Sequence, residues 1–229
     1  FHSSWRPDAC CGGSQKAVIE VAFDDGDTEE ILRWESDAGE FFHSDDPAHW
    51  NETVNLQISN PAGAKEMKLT FSYLDAANNW WWAIDNIIVA GEPEPIFAEN
   101  FDSLELGAFE SGSESGGDGT DWTADTPTGW VMTKADDHGP TADGDAVKEF
   151  DGWTFLDPAS WTATAGQGRA EFTKGTGVIA VGDSDEYDDL ADAKFNASLS
   201  TPAFSLDGVA AGTATVTYTH LTLPTNREV

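Results

Sequence analysis

The sequence predicts an all-β fold, an antiparallel sandwich of two sheets. Apolar residues recur at every second position in several short runs, as half-buried strands require. Glycine and proline interrupt the chain at intervals too short for long helices. No stretch combines a 3.6-residue apolar period with helix caps. Together these features favour two packed antiparallel sheets over helical or mixed folds.

The alternating residues form four clear runs, namely Ile19, Val21 and Phe23; Val54, Leu56 and Ile58; Met67, Leu69, Phe71 and Tyr73; and Ala214, Val216 and Tyr218. Polar residues lie between them, so each strand is expected to bury one face and solvate the other. Asp24–Asp27 separates residues 17–23 from residues 28–34 and contains Gly26, which can take the positive φ of a tight turn. We therefore expect a hairpin there, and a second strand connection at Asn60–Gly63.

The segment Glu92–Pro95 divides the chain. Its two prolines cannot donate to a β-ladder and its two glutamates favour solvent, so we expect a linker over residues 92–96 between residues 1–91 and residues 97–220. Residues 111–121 are rich in serine, glycine and acidic groups and are expected to form a surface loop. Residues 221–229 (LTLPTNREV) break from the acidic style of the chain, and we expect a non-native tail or else a disordered terminus.

Composition narrows the possible partners. The 229 residues include 11 Lys and Arg against 42 Asp and Glu, which gives a net charge of −31. Such a surface repels nucleic acids and anionic membranes, because binding either requires basic groups. The 10 Trp and 13 Phe are too many for a disordered acidic tail, so a folded protein is expected. The apolar cluster from Trp80 is cut by Asp85 and is too short to span a membrane.

Three short motifs carry a resemblance to a known group of modules. Asn79–Gly91 (NWWWAIDNIIVAG) resembles the closing strand of the jelly-roll sandwiches of the MAM, cleaved-adhesin and choice-of-anchor type. Ala98–Leu104 (AENFDSL), followed by Gly129 and Trp130, is similar to their opening strand, and Ser200–Gly208 to a step before a middle strand. The resemblance implies a jelly roll, concanavalin-like or galactose-binding-like, in a secreted or cell-surface bacterial protein.

The motifs occur in an inverted order, with closing-strand features before opening-strand features. The chain therefore resembles the back half of one module followed by the front half of the next, as in a tandem repeat cut out of frame. The opening and closing strands of such modules are neighbours. We therefore expect both halves to complete one sandwich in the manner of a circular permutant, with Asp85 near Glu99.

The resemblance also implies a calcium site. In these modules an acidic residue of the opening strand and one near the closing strand commonly hold a structural calcium ion. Glu99 and Asp85 occupy the matching positions, and Asp102 is the expected third ligand. A carboxylate that interrupts an apolar strand requires a partner, which supports a metal at Asp85. The alternative makes Asp85 a hydrogen-bonded strand cap and Glu99 an exposed edge charge.

A second acidic group, residues 183–189 (DSDEYDD), offers several carboxylates on one loop. Calcium takes about six to eight oxygen ligands, so we expect a second calcium site whose ligands are Asp183, Asp185, Asp188 and Asp189. The glycine and glutamate positions of an EF-hand are missing. The alternative is a solvated acidic surface, which a chain with 42 acidic residues readily provides.

Tryptophans supply the candidate ligand-binding residues. An exposed ring of Trp80, Trp81, Trp82 or Trp50 would stack on a sugar; the alternative is that these rings fill the core. The adjacent pair Cys10 and Cys11 is expected to hold free or intermolecularly paired thiols, since a bridge between neighbours is strained. The five histidines show no H-x-x-x-H spacing, and no catalytic or nucleotide-binding motif is present.

These observations leave three functional hypotheses. The first is a non-catalytic, calcium-stabilised module of a larger secreted bacterial protein that binds glycan or cell-surface material. The second is an architectural spacer or accessory domain of a secreted hydrolase such as a metallophosphoesterase. The third is a carboxylate-based glycoside hydrolase, which needs a cleft with two carboxylates about 5 to 10 Å apart. Exposed aromatic rings favour the first hypothesis, and buried tryptophans favour the second.

Overall fold

The computed structural model describes residues 1–7, 14–24, 26–77, 79–90, 95–107, 122–139, 148–187 and 194–217. It confirms the predicted all-β class, a sandwich-like arrangement of antiparallel sheets. The strands, in chain order, are β1 (His2–Arg6), β2 (Lys16–Phe23), β3 (Thr28–Glu35), β4 (Glu52–Thr53), β5 (Leu56–Ile58), β6 (Glu66–Ala76), β7 (Trp81–Asp85), β8 (Ile87–Ala90), β9 (Phe97–Glu99), β10 (Trp122–Thr123), β11 (Val131–Lys134), β12 (Thr154–Leu156), β13 (Ile179–Asp183), β14 (Phe195–Ser200), β15 (Phe204–Ser205) and β16 (Ala214–Thr217).

The described strands form three sheets. The first sheet has the order β10-β12-β13-β7-β1-β4, and the second has the order β11-β14-β6-β2-β3, with β15 also paired to β6. The third sheet has the order β5-β16-β8-β9. Every pairing between these named strands is antiparallel.

The third sheet exists because the Trp-rich strand breaks at Asn86. Asn86 has a φ of 52°, a left-handed conformation that cannot continue an extended strand and that asparagine tolerates better than most residues. The chain therefore leaves the first sheet after Asp85 and enters the third sheet at Ile87. The two-sheet prediction is thus incomplete.

The predicted hairpin between β2 and β3 is present, with a different turn residue. Asp24 rather than Gly26 has a positive φ, 51°. The Asp24 carboxylate accepts hydrogen bonds from the backbone N–H groups of Lys65 and Glu66, each at 3.0 Å, which ties the turn to the start of β6. Gly26 instead allows the backbone to pass close to the Phe23 carbonyl oxygen, since a Cβ there would lie 3.0 Å from that oxygen.

Strands from both sides of residues 92–96 occur in all three sheets. β13 pairs with β7, with Val181 opposite Ala83, and β14 pairs with β6, with Leu199 opposite Phe71. β16 lies between β5 and β8. The buried hydrophobic residues of the two segments also belong to one core cluster. The N-terminal and C-terminal segments therefore share all three sheets and one hydrophobic core.

Aromatic rings fill the space between the first and second sheets. Trp82 of β7 lies 6.2 Å from Phe71 of β6 and 5.6 Å from Trp153, measured between ring centroids. Trp5 of β1 meets Tyr73 of β6 edge to face at 5.9 Å. Large aromatic side chains bury more apolar area than other residues, so these contacts contribute much of the core stability.

Short helices complete the described fold: α1 (Pro158–Ala165), α2 (Ser184–Tyr187) and three 3-10 helices (Pro47–Asn51, Lys148–Phe150 and Arg169–Glu171). The sequence patterns do not predict α1, because Trp161 is its one large apolar side chain. Local caps define it instead: the Asp157 carboxylate accepts from the N–H groups of Ala159 and Ser160, and Gly166 ends it. No helix in the described ranges has the length and apolar character needed to cross a bilayer.

Candidate functional site

The central tryptophans of the WWW motif are core residues. Trp81 and Trp82 are 0% exposed, and their indole N–H groups donate to the hydroxyls of Ser4 and Ser3 on the neighbouring β1, each at 3.1 Å. The prediction that these two rings bind a sugar is therefore wrong, because a ring without exposed area cannot stack on a ligand. Strand alternation sends them to opposite faces of the first sheet, and both faces are covered.

Trp80 and Trp50 are half-buried, and the guanidinium of Arg6 lies over both rings. The Arg6 guanidinium carbon lies 3.9 Å from the Trp80 ring centroid and 4.5 Å from that of Trp50. Trp50 also donates its indole N–H to Asp45 at 2.7 Å. Arg6 donates to the backbone carbonyl of Gln167, which fixes the guanidinium on the rings. These two predicted ligand-binding tryptophans thus already bind a cation of the protein itself.

Asp85 is the most perturbed carboxyl group of the first sheet. It is wholly buried at the end of β7 and accepts from the backbone N–H of Asn86 at 2.7 Å, from the Asn86 amide at 2.7 Å and from the backbone N–H of Thr176 at 3.1 Å. The pKa of Asp85 is raised to about 7, mainly by burial and in smaller part by the nearby Asp102 and Glu99 carboxylates, against the lowering effect of these hydrogen bonds. The hydrogen bonds match the strand-cap alternative.

Glu99 and Asp102 lie in the same corner of the molecule. Glu99 is opposite Ile87 in the β8–β9 pairing, and its carboxylate accepts from the N–H groups of Asn100 and Phe101 at 3.1 and 2.8 Å. Asp102 accepts from the N–H of Val178 at 2.8 Å. Asp85 is therefore near both, as expected. In the described part of the chain, the ligand atoms of these three acids do not all lie within 4.8 Å of one another. Calcium binding here therefore stays a prediction.

The second acidic group surrounds a buried arginine. Arg169 donates through Nε and Nη2 to Oδ2 of Asp183 at 3.2 and 3.0 Å, and Nη2 lies 3.3 Å from carboxylate oxygens of Asp185 and Glu186. The indole N–H of Trp161 donates to the same Asp183 oxygen at 2.8 Å. The guanidinium thus supplies the positive charge that the sequence assigned to calcium at Asp183 and Asp185.

This arginine network covers the outer face of the first sheet. The Arg169 guanidinium lies 4.8 Å from the Trp81 ring centroid, and Trp81 meets the Trp161 ring edge to face at 5.2 Å. Nearby carboxylates hold the pKa of Arg169 above its ordinary value despite burial. The helix α1 and the Arg169–Glu171 turn are therefore attached to the sheet by charge and by ring contacts together.

Several predicted features lie outside the described residues. They are the predicted calcium ligands Asp188 and Asp189, the cysteines Cys10 and Cys11, residues 92–94 of the linker, the loop 111–121 and the tail 221–229. The predictions made for these residues are not tested.

Sequence reasoning missed a cluster of two histidines and one glutamate. His43, His49 and Glu52 each offer a ligand atom, and these atoms lie within 4.8 Å of one another. We call these three residues the His–Glu cluster. His43 follows β3, His49 lies in the Pro47–Asn51 3-10 helix and Glu52 begins β4. The spacing H-x5-H-x2-E fits no helical ligand motif, so only the folded loop brings the three residues together.

The histidine rings of this cluster are stacked. The His43 ring lies between Trp34, at a centroid distance of 4.1 Å and an interplanar angle of 8°, and His49, at 3.8 Å and 19°. Nε2 of His43 is 3.1 Å from Oε1 of Glu52. Two exposed phenylalanines, Phe41 and Phe42, precede the cluster and are 42% and 51% exposed.

A shallow, open pocket of about 340 Å³ lies elsewhere, beside α1. Its lining residues are Pro158, Ala159, Thr162, Arg169, Ala170, Phe172, Thr173 and Gly175. None of the described residues that line this pocket carries a carboxylate, so they do not supply the paired acids that glycoside hydrolysis requires.

Comparison with protein-family models, with curated proteins and with solved structures found no match. The resemblance to MAM, cleaved-adhesin and choice-of-anchor modules therefore stays a prediction.

Proposed function

We propose that the chain is a non-catalytic, architectural β-sandwich module of a larger secreted protein. The placement of Trp81 and Trp82 carries this proposal, because these two tryptophans of the motif are wholly buried in the core and cannot bind a ligand. The resemblance to surface modules supports the secreted setting.

The charged residues near the first sheet support the same proposal. Arg6 lies over the rings of Trp80 and Trp50, and Arg169 joins three carboxylates to the outer face of the sheet. Asp85 caps the break between β7 and β8. Each of these groups has a structural partner within the protein, which is the pattern expected of a scaffold rather than of a reactive site.

Binding and unfolding measurements test the architectural role. We expect one cooperative unfolding transition, with tryptophan fluorescence and near-UV circular dichroism changing together, because both segments share sheets and core. We also expect no saturable binding to a panel of soluble and insoluble polysaccharides. Release of reducing sugar from any of them would contradict the non-catalytic role and favour the hydrolase hypothesis.

Glycan binding is the second candidate function, and the partial exposure of Trp50 and Trp80 favours it. In this case a polysaccharide would bind saturably to the wild-type chain. Trp50→Ala would abolish that binding, since a stacked ring contributes much of the affinity for a sugar. The control is Trp122→Ala, which removes another half-buried tryptophan from the opposite edge of the same sheet, on β10. Equal loss in both variants would point to unfolding rather than to a binding site.

A further inference from the structure

We propose that the His–Glu cluster is a binding site for a divalent transition-metal ion such as Zn²⁺, with His43, His49 and Glu52 as its three protein ligands. One ligand atom from each lies within 4.8 Å of the others, and all three side chains are half-buried. Two imidazoles and one carboxylate form a common donor set of open zinc sites, which keep a fourth position for water.

The backbone positions of His43 and Glu52 are fixed by contacts with the surrounding strands. The His43 N–H donates to the carbonyl of Glu35 at 2.9 Å, and its own carbonyl accepts the indole N–H of Trp5 at 3.2 Å. Glu52 is paired with Ser3 in the β1–β4 ladder. A metal site requires such support, because ligands that must first be ordered bind more weakly.

His49 has a tautomer suited to metal binding. Its Nδ1 lies 2.9 Å from the backbone carbonyl oxygen of Ser44. A carbonyl oxygen only accepts hydrogen bonds, so the proton of the neutral ring is on Nδ1 and the lone pair is on Nε2. Metal-binding histidines in proteins usually donate their second nitrogen to a carbonyl or carboxylate in this way.

The distance between the ligand atoms of His43 and Glu52 is close to that of a zinc site. Ligand atoms about 2.05 Å from a tetrahedral ion lie about 3.3 Å apart. His43 Nε2 and Glu52 Oε1 are already 3.1 Å apart, so an ion would replace the proton that they share. The His49 ring is stacked on His43 with a tilt of 19°, and it has to rotate out of the stack to direct its lone pair at the same ion.

The donor atoms select the class of metal. Imidazole nitrogens favour Zn²⁺, Co²⁺, Ni²⁺ and Cu²⁺, whereas Ca²⁺ prefers an all-oxygen shell of about six to eight ligands. The net charge of −31 attracts cations to the surface in general. The histidines therefore provide the selectivity that the acidic surface does not.

Such an ion would connect the two main sheets at their open edge. β3 is the edge strand of the second sheet, and His43 is hydrogen-bonded to its last residue, Glu35. β4, which begins with Glu52, is the edge strand of the first sheet. The bound metal would therefore act as a cross-link between the layers of the sandwich.

Titration of the full chain with Zn²⁺ tests the proposal. Calorimetry in about 0.15 M salt, with Mg²⁺ and Ca²⁺ in large excess, suppresses weak binding to surface carboxylates. We expect one Zn²⁺ per chain, and a visible Co²⁺ absorption spectrum of the tetrahedral type. His49→Gln and Glu52→Gln should each weaken Zn²⁺ binding by about 100-fold or more, since even the loss of an outer-shell partner costs about 10- to 100-fold.

The matched control is Glu40→Gln, which removes one exposed carboxylate from the same loop outside the cluster and should leave Zn²⁺ affinity unchanged. Circular dichroism of each variant without metal separates loss of a ligand from loss of fold. The proposal is overturned if Zn²⁺ binds only at several weak sites, if the excess Mg²⁺ and Ca²⁺ abolish binding, or if folded Glu52→Gln binds Zn²⁺ as tightly as Glu40→Gln.

Discussion

Ionisation of Asp85 should make the folded protein less stable as the pH rises. Its pKa is about 7 in the folded protein against 3.8 for an ordinary aspartate, because the carboxyl group is buried beside two other acids. The folded state therefore holds a proton that the unfolded state releases between these two values. Stability from this group is fully present below about pH 4 and is lost as the pH rises towards about 7. The informative substitution is Asp85→Asn, which removes the titration and nearly keeps the shape.

The expected magnitude follows from the two pKa values. The difference between 3.8 and about 7 corresponds to a loss of about 4 kcal/mol at high pH. About a third of this loss occurs below about pH 5, so about 3 kcal/mol remains between about pH 5 and pH 8. The asparagine amide places N–H hydrogens opposite the donor groups of Asn86 or Thr176, and this cost does not depend on pH. The quantity to compare between the wild-type chain and Asp85→Asn is therefore the change in the free energy of unfolding with pH.

Urea unfolding followed by tryptophan fluorescence, with a chelator present, measures this slope for both proteins. Relative to Asp85→Asn, the wild-type free energy of unfolding should fall by about 3 kcal/mol from about pH 5 to pH 8. Asp75 and Asp151 have lowered pKa values, so their contributions are lost only in acid, below this range. The lowered pKa of His2 acts in the opposite direction, but it is present in both proteins. Equal slopes for the two proteins would refute the argument.

Four further predictions concern charge and backbone. Arg169→Met should destabilise the fold by about 3 to 5 kcal/mol in urea unfolding, because it leaves buried carboxylates without their cation. A loss of less than about 1 kcal/mol would mean that Arg169 is not paired with these carboxylates in solution. Gly177→Ala should lower the free energy of unfolding by at least about 1 to 3 kcal/mol, since Gly177 has a φ of 67° and a Cβ there would overlap Asp102 Oδ1. This loss of stability should be smaller in an Asp102→Ala background. An unchanged loss would exclude the overlap. Thermal unfolding should shift to higher temperature between about 0.01 and 0.1 M NaCl, because salt screens the self-repulsion that comes with a net charge of −31; a flat or falling Tm would contradict this. If Asp85 and Glu99 share calcium, Ca²⁺ should raise the Tm, most at alkaline pH where Asp85 is ionised, and Asp85→Ala should abolish the response; no effect of Ca²⁺ on the wild-type chain would remove the site.

The sequence predicts the local features of the fold well. The alternation of Met67, Leu69, Phe71 and Tyr73 identifies β6 and its buried face, and all four residues are buried. The β2–β3 hairpin is also identified, because its two strands are adjacent in the sequence. Period and turn chemistry act over a few residues, so these features need no knowledge of the rest of the chain.

Features that depend on distant partners could not be predicted. Asp183 accepts hydrogen bonds from Arg169, and nothing in the acidic run indicates an arginine 14 residues earlier. The break at Asn86 interrupts a run that looks like one continuous strand. His43 and His49 meet only because a 3-10 helix reverses the loop between β3 and β4. In each case tertiary contacts decide among local conformations that the sequence leaves equally acceptable.

The interleaving of early and late strands has a consequence for biosynthesis. The hydroxyl of Thr217 donates to the side-chain oxygen of Asn55 across 162 residues, and β16 fills the place between β5 and β8. On a ribosome, residues 56–90 would emerge with these strand edges unpaired and would stay so until residues 214–217 had followed. A nascent chain in this state exposes open β-edges, which are prone to pair with other chains. Folding of this protein should therefore be slow and should benefit from chaperones that cover exposed strands until β16 has been synthesised.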